Sequence, residues 1–454
     1  MTHDHTTVDA SQASDRPVRA EVAQLGIVQL WRSAEPERVG ELLLLPRSQR
    51  GQPTVVGRGE ACAKWVQQRP GALHETGPLR DPKVSRRQLE LRKVRARELH
   101  VLNVGRGQLQ DPTGAAVTEC HVRVGDTFGL DGRALFLLVE RPAHIPPLDL
   151  VPPETWTRFG EVDALGFVGE SVAMWRLRRA VAQAAHQDTH TLVWGPSGTG
   201  KELTARALHR LSKRASGPWV AQNAAAIPPG LMAAELFGNC KGYPNPGTPA
   251  RSGLFGAADR GVLMLDEIGD LPKAAQAALL RVLDTDGGYH RLGESRERHA
   301  DVRVIGASNQ PRQALRSDFS ARFLTHLQSP GLGQRREDIP LLGRHLLREA
   351  GIERPMGVAL VRALVTGSFD THVRELRATL MRAHDTTPRG PLQVPRGGVD
   401  SKVPTETLAT SLTAADIRGA LAAHFGNREA TTRALGLSSR YVLYRLMKVH
   451  GIEV

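Results

Sequence analysis

The octapeptide GPSGTGKE, Gly195 to Glu202, constrains this chain more than any other stretch. It follows the apolar run TLVW and opens the helical pattern KELTARALHRLSKR, and it fits G-x-x-x-x-G-K. In that setting Gly195, Pro196, Ser197, Gly198, Thr199 and Gly200 form a turn whose backbone N–H groups wrap phosphates, while Lys201 reaches the β and γ positions. A glycine-rich strand–helix turn with no ligand is the plain alternative. The surrounding block favours the first reading, because TLVWG, PWVAQN, GVLMLDE and DVRVIGASN alternate with helical patterns such as KAAQAALLRVLD. Alternation of this kind predicts a parallel sheet with helices on both faces.

About sixty residues further on, VLMLDE delivers two adjacent carboxylates from an apolar strand. Asp266 suits a Mg²⁺ ion and Glu267 suits polarisation of an attacking water. The residue after the loop lysine is Glu202 rather than Ser or Thr, so a hydroxyl ligand for magnesium is missing there.

These motifs together resemble the AAA+ domain of bacterial sigma-54-dependent enhancer-binding proteins, whose phosphate loop also often carries Glu after the lysine. FVGESVAMWRLRRAV, AELFG, LDEIGDLP, RREDIPLL and VREL are further points of similarity. The resemblance implies ATP and Mg²⁺ as cofactors and a ring-forming homo-oligomer, from dimer to hexamer. It also implies roles for single residues. Asn223 would restrain Glu267, Asn309 would be a sensor at a strand end, and Arg316 and Arg322 would reach a neighbouring subunit's nucleotide. Arg374 would be a second sensor on a helical lid. Each would bring a hydrogen bond or positive charge to the γ-phosphate oxygens.

Two proline-rich stretches divide the chain, RPAHIPPLDLVPPETW and TTPRGPLQVPRGGVDSKVPTE. We therefore expect a multidomain protein: a β-sandwich at 25–143, a linker at 144–163, an α/β ATPase core at 164–330, its helical lid at 331–388, a linker at 389–408 and an all-α tail at 409–454. Before the first linker, ELLLL, PTVVGR, QLELRKV, ELHVLNV and ALFLLVE read as short strands of an all-β sandwich. VVGRGE, VSRRQLEL and VGDTFGLDGRALFLL resemble a forkhead-associated (FHA) domain. That implies a phosphothreonine peptide or protein as partner, held by Arg58, Ser85 and Arg86. Gln88 stands where the family has histidine. The tail carries six basic and three acidic residues from position 409 on and reads as three helical segments. Ile417, Leu421, Leu435, Leu437, Leu443 and Leu446 supply its core. Ser438 and Ser439 open the third segment, which presents Arg440, Tyr441, Arg445 and Lys448. It resembles a Fis-type helix-turn-helix, implying double-stranded DNA as partner; a plain three-helix interaction module is the alternative.

With 60 basic and 47 acidic residues the chain is basic, in keeping with an anionic partner. Its three cysteines are too scattered for a metal cluster. The N-terminal MTHDHTTVDASQASD lacks an apolar signal core, and no run reaches the ~18 apolar residues of a membrane span. We expect a bacterial cytoplasmic protein with no membrane partner.

Three functions remain open on sequence: a DNA-bound ATPase acting on RNA polymerase, a DNA-binding regulator whose ATP serves assembly without sigma-54, and a phosphopeptide-binding scaffold with an idle ATPase. KGYPNPGTPARSGLF separates the first two. The resembled family follows Lys-Gly with Ala-Phe-Thr-Gly-Ala, whose Phe and Thr touch sigma-54. Here Lys241-Gly242 is followed by Tyr243, Pro244, Asn245, Pro246 and Gly247. Pro244 and Pro246 fix φ and remove two N–H donors, so the expectation leans towards sigma-54-independent regulation.

Overall fold

The computed structural model describes residues 23–46, 52–284, 287–310, 315–399, 414–423, 431, 435, 447 and 452. Residues 23–142 form two antiparallel sheets. Their strands are β1 (Ala23–Arg32), β2 (Leu42–Leu44), β3 (Thr54–Val56), β4 (Trp65–Arg69), β5 (Ala72–Gly77), β6 (Leu89–Arg95), β7 (Glu98–Asn103), β8 (Leu109–Gln110), β9 (Ala116–Val117), β10 (Glu119–Arg123), β11 (Thr127–Leu130) and β12 (Ala134–Pro142). One sheet has the order β5-β4-β2-β1-β12-β11-β8-β9 and the other β10-β7-β6-β3. Alternate side chains point inward from both, so Ile27, Leu43, Leu91, Val101, Phe128 and Phe136 close a core around Trp65. The Trp65 ring stacks on Phe136 at 5.5 Å between centroids.

The central block is a five-stranded parallel sheet. Its strands are β13 (Thr191–Trp194), β14 (Trp219–Asn223), β15 (Val262–Asp266), β18 (Arg303–Ser308) and β19 (Thr325–Gln328). The hairpin β16 (Gly288–His290) and β17 (Glu297–His299) lies outside it. The order is β14-β15-β18-β13-β19. Both faces are covered, as the unbroken apolar runs require. Leu263 and Leu265 pack towards the helix Lys273–Val282, and Val262 and Met264 towards the helices Val172–His186 and Lys201–Leu211.

Three further helices, Ile339–Glu349, Val358–Thr366 and His372–Thr386, form a lid. The lid does not stand apart from the sandwich. Val28, Leu30, Leu135 and Leu137, on the other face of β1 and β12, share one continuous apolar core with Leu341, Leu346, Leu360, Val361 and Leu376. Trp31 Nε1 donates to Met356 O at 2.9 Å, Arg336 Nη1 to Gly125 O at 2.9 Å, and Arg362 Nη2 to Gln110 Oε1 at 2.8 Å. The fully buried Arg141 faces Glu337 at 3.7 Å and donates to Glu170 O. Asp338, also buried, accepts from the backbone N–H groups of Glu170 and Ser171 at 2.8 and 2.9 Å and fastens the lid to the helix that Ser171 caps.

Among the described residues, both proline-rich stretches expected as linkers pack against their neighbours. Ile145 and Val151 are buried, Ile145 O accepts from Gly71 N at 2.7 Å, and Trp156 meets Trp175 edge-on at 5.2 Å. Apolar residues between the prolines anchor the segment to both neighbours. Likewise Leu392 is buried and bridges to Met356, so 388–399 lies along the lid. In the tail, the helix Ala414–Ala423 contributes Ile417 and Leu421 to a small core with Met447 and Ile452, and Leu435 packs against it. Leu437, Leu443 and Leu446 lie outside the described residues. Among the described residues no helix is long and apolar enough to cross a membrane.

His190 leads into β13, and its Nδ1 accepts from Val304 N at 3.0 Å. Burial first, with the Arg303 and Arg214 charges adding to it, lowers its pKa to about 4. A folded-state pKa below the unfolded ~6.5 means the unfolded chain binds the extra proton, so stability present above pH 6.5 drains as pH falls towards 4. The full loss from this group is about 3 kcal/mol. Urea midpoints measured across pH 7 to 4 should fall more steeply for the natural chain than for His190→Gln, whose carboxamide still accepts from Val304 without titrating.

Candidate nucleotide site and partner surfaces

The carboxyl ends of β13, β15 and β18 converge on one crevice, the place where open parallel sheets hold ligands. Gly195 N donates to Ser308 O, drawing the phosphate loop against β18. The loop's tight path needs its glycines: Gly198 and Gly200 have φ of 76° and 96°. Lys201 opens the helix with its side chain buried, its Nζ donating to Gly195 O and Pro196 O at 3.1 and 3.2 Å. Burial pulls the ammonium below its usual pKa, against the opposing pull of Asp266 and Glu267. Glu202 is solvent-exposed on the crevice lining and pairs with Arg206 at 2.9 Å.

Asp266 ends β15, and Glu267 follows in a left-handed conformation at φ 53°, its N–H donating to Asp266 Oδ1. That turn costs about 1–3 kcal/mol for a non-glycine residue. Glu267 Oε2 is buried without a hydrogen-bond partner, and burial together with the Asp266 charge raises the carboxyl's pKa. An orphaned carboxylate oxygen beside a half-buried Asp266 fits a hydrated divalent cation and an activated water. The crevice, about 600 Å³, is lined by the phosphate loop, Asp266, Glu267, Gly166–Val168 and the lid's Arg335, Val373 and Arg374. The lid reaches the loop directly, because Val373 N donates to Gly198 O at 3.1 Å.

The other sequence-derived residues fall in three places. Asn223 is paired with Asp266 in the sheet register, but its Oδ1 caps Ala225 N at 2.9 Å rather than contacting Glu267. Asn309 is exposed just past the carboxyl end of β18. Arg316 is engaged by Asp318 and Arg322 by Asp284 at 2.7 and 2.8 Å. Arg322 lines a second cavity with Asp188–His190 and Asp301–Arg303, at the amino ends of β13 and β18. A strand's length separates it from the crevice of its own chain.

The loop after AELFG is pinned. Asn239 is buried, and its Nδ2 donates to Cys240 O, Tyr243 O and Pro249 O at 2.9, 3.1 and 3.0 Å. Gly242 N–Thr248 O and Cys240 N–Leu292 O bonds close the loop and tie it to the β16–β17 hairpin. Tyr243 covers Gly293 while remaining 41 % exposed. Sequence reading passed over Asn239, although a carboxamide beside a closely turning loop is the residue type that organises one.

At one end of the sandwich three loops meet at Ser85 and Arg86. Arg58 N donates to Ser85 O, Gly59 N to Arg86 O, and Arg106 N to Ser85 Oγ. Gly57 passes so near that a Cβ there would lie 2.3 Å from Arg86 O. Arg58 Nε donates to Val84 O, fixing the stem of its guanidinium. Gln88 is fully buried and takes the scaffold role, accepting from Ser85 N and Gly107 N and donating to Asn103 Oδ1 and Gly107 O. Arg58, Arg86, Arg106 and Lys83 are all exposed there. Lys83 was not singled out by sequence, since only the fold brings these loops together. Ser438, Ser439, Arg440, Tyr441, Arg445 and Lys448 lie outside the described residues.

A Cβ on Gly198 would stand 2.1 Å from Thr371 O. Gly198→Ala should therefore push the lid off the phosphate loop, and hydrogen exchange at the Val373 amide should rise at least tenfold. An unchanged Val373 amide would show that the contact does not hold the lid.

Residues 167–329 match the family described as the Sigma-54 interaction domain. The regulatory protein AtoC of Escherichia coli (strain K12) is 35% identical over 314 residues, covering 62% of this chain and 67% of AtoC. The DNA-binding transcriptional regulator NtrC of Klebsiella pneumoniae is 41% identical over 224 residues, 47% of this chain and 48% of its own length, so the chain spans about half of that relative. The crystal structure of NtrX from Brucella abortus in complex with ADP is 30% identical, covers 64% of this chain and 70% of that one, and superposes with a TM-score of 0.47. The chain belongs to the family of transcriptional regulators built on the AAA+ sigma-54 interaction domain.

Proposed function

We propose that this protein is an ATP-hydrolysing, DNA-bound transcriptional regulator that works as a ring and reads a phosphothreonine signal through its FHA-like sandwich. The crevice carries this reading: a lysine-bearing phosphate loop, a metal-type aspartate and a half-buried glutamate with one buried, partnerless oxygen stand together under a lid arginine. Lys201 would neutralise the β and γ phosphates and Asp266 would hold Mg²⁺, which supplies charge stabilisation at the transferring phosphoryl group. Glu267, its carboxyl raised in pKa, would orient the attacking water and take up its proton.

Arg322 faces away from its own crevice, which supports its acting on a neighbour's nucleotide, as Arg316 would beside it. An arginine supplied in trans is worth ~10³ or more in rate. Lys201→Ala should abolish nucleotide binding. Arg322→Ala should leave binding intact and cut hydrolysis by that factor, and mixing the two inactive chains should restore part of the turnover. Full hydrolysis by Arg322→Ala alone would overturn the in-trans assignment.

The pinned loop favours regulation at promoters that do not use sigma-54. A contact loop that rises and falls with nucleotide needs backbone freedom, whereas Asn239 ties this one to three carbonyls. The rival reading, direct remodelling of sigma-54 polymerase, is favoured by the family match running through residues 239–251. A purified transcription assay with sigma-54 polymerase decides between them. We expect no ATP-dependent open complex from the natural chain, and activity once Tyr243–Gly247 is replaced by Ala-Phe-Thr-Gly-Ala. Open complexes formed by the natural chain would establish the rival. The tail is proposed to supply DNA binding through Arg440 and Arg445, and the Arg58–Ser85–Arg86 cluster to supply phosphothreonine binding.

A further inference from the structure

The basic end of the sandwich has a candidate occupant within the chain itself. Lys83, Arg58, Arg86 and Arg106 converge there from three loops, with Arg87 adjacent but shared with Glu90 at 2.9 Å. Glu60 is the acidic side chain exposed on the same loops. Residues 1–15, MTHDHTTVDASQASD, hold Asp4, Asp9 and Asp15, no lysine or arginine, and the adjacent hydroxyls of Thr6 and Thr7. An acidic, threonine-bearing segment is the charge complement of this end of the fold.

Reach permits the contact. Ser33, just after β1, has its Oγ 3.4 Å from Asp81 Oδ2, on the loop that continues to Ser85. Ala23 therefore begins β1 at the far end of the sandwich, roughly 35 Å away for ten strand residues. The seventeen residues from Thr6 to Ala23 span up to about 55 Å when extended.

We propose that Thr6 or Thr7, once phosphorylated, docks on Arg58, Ser85, Arg86 and Arg106 of the same chain and shuts out other phosphothreonine ligands. The inference rests on the phosphothreonine reading of the sandwich. The modification is a kinase transfer from ATP: the threonine Oγ forms a bond to the γ-phosphorus as the bond to the bridging oxygen of ADP breaks. The hydroxyl proton leaves to the kinase's base. The product carries nearly two negative charges and three acceptor oxygens, which suit a fork of guanidinium donors.

The test uses the full chain with Thr6→Ala and Thr7→Ala. It is titrated with synthetic peptides of residues 1–15, unphosphorylated or phosphorylated at Thr6 or Thr7, alongside a library of unrelated phosphothreonine peptides. At least one phosphorylated N-terminal peptide should bind tenfold or more tighter than its unphosphorylated form. Arg86→Ala should remove that preference, and Arg95→Ala at the other end of β6 should preserve it. Binding of library peptides without the N-terminal ones would overturn the self-ligand while keeping the phosphothreonine reading. Absence of binding by every phosphopeptide would overturn both. In a second arm, phosphothreonine is installed at the preferred position of the natural chain, and a labelled copy of the bound peptide serves as probe. Probe affinity should fall at least tenfold regardless of protein concentration. Masking that disappears on dilution, with a phosphorylation-dependent dimer in sedimentation, would overturn the intramolecular arrangement.

Discussion

The arrangement depends on apolar surface that one sheet presents on both of its faces. β1 and β12 are buried nearly end to end, towards the sandwich core on one side and the lid on the other. An antiparallel sheet with one wet face alternates apolar and polar residues, and these strands do not. Burying each additional leucine or valine is worth about 1.5–3 kcal/mol relative to exposure. Val28, Leu30, Leu135 and Leu137 together therefore commit the sandwich to the lid far more firmly than the surface ion pairs around the seam could, since exposed pairs contribute about 0–1 kcal/mol each.

Once the apolar seam forms, charged groups are trapped in it. Burial pushes the carboxyls of Glu337 and Asp338 up and the guanidinium of Arg335 down. Asp338 is compensated by two backbone N–H groups and the Ser171 hydroxyl, and Glu337 by Arg141 of the sandwich. Breaking one partner of a buried pair leaves an uncompensated charge, which is the costly outcome. This charge set lies between the entry helix of the ATPase core and the lid. Its Arg335 lines the crevice together with Val373 and Arg374, which open the lid helix His372–Thr386 over the phosphate loop. A lid shift on nucleotide binding would carry the sandwich with it, because the two share one packed interior.

Much of this was legible in the residues. The phosphate loop, the acidic strand end and the alternation around them define a local chemistry that few other folds provide, and the crevice assembles them. Legibility failed where the third dimension decides. β1 escaped notice because Gly26 and Gln29 interrupt its pattern, though it is a central strand. The proline stretches read as spacers because composition does not reveal that Ile145, Val151 and Leu392 find apolar partners. Gln88 read as a departure from the FHA pattern, yet its carboxamide both accepts and donates and so bridges the loops on each side. The unbroken ALFLLVE was the available signal for a doubly covered strand, and its length alone could not say what covered the second face.

The shared seam bears on how such a regulator can be inherited. Sensor domains joined by bare tethers can be exchanged between proteins with little penalty, because neither partner has shaped its surface to the other. Here the lid surface holding Leu341 and Val361 and the strand surface holding Val28 and Leu137 are halves of one interior. A lineage that lost or swapped the sandwich would expose a greasy patch on the lid and invite aggregation. Sandwich and lid are therefore constrained as a unit, each substitution at the seam restricting the next one across it.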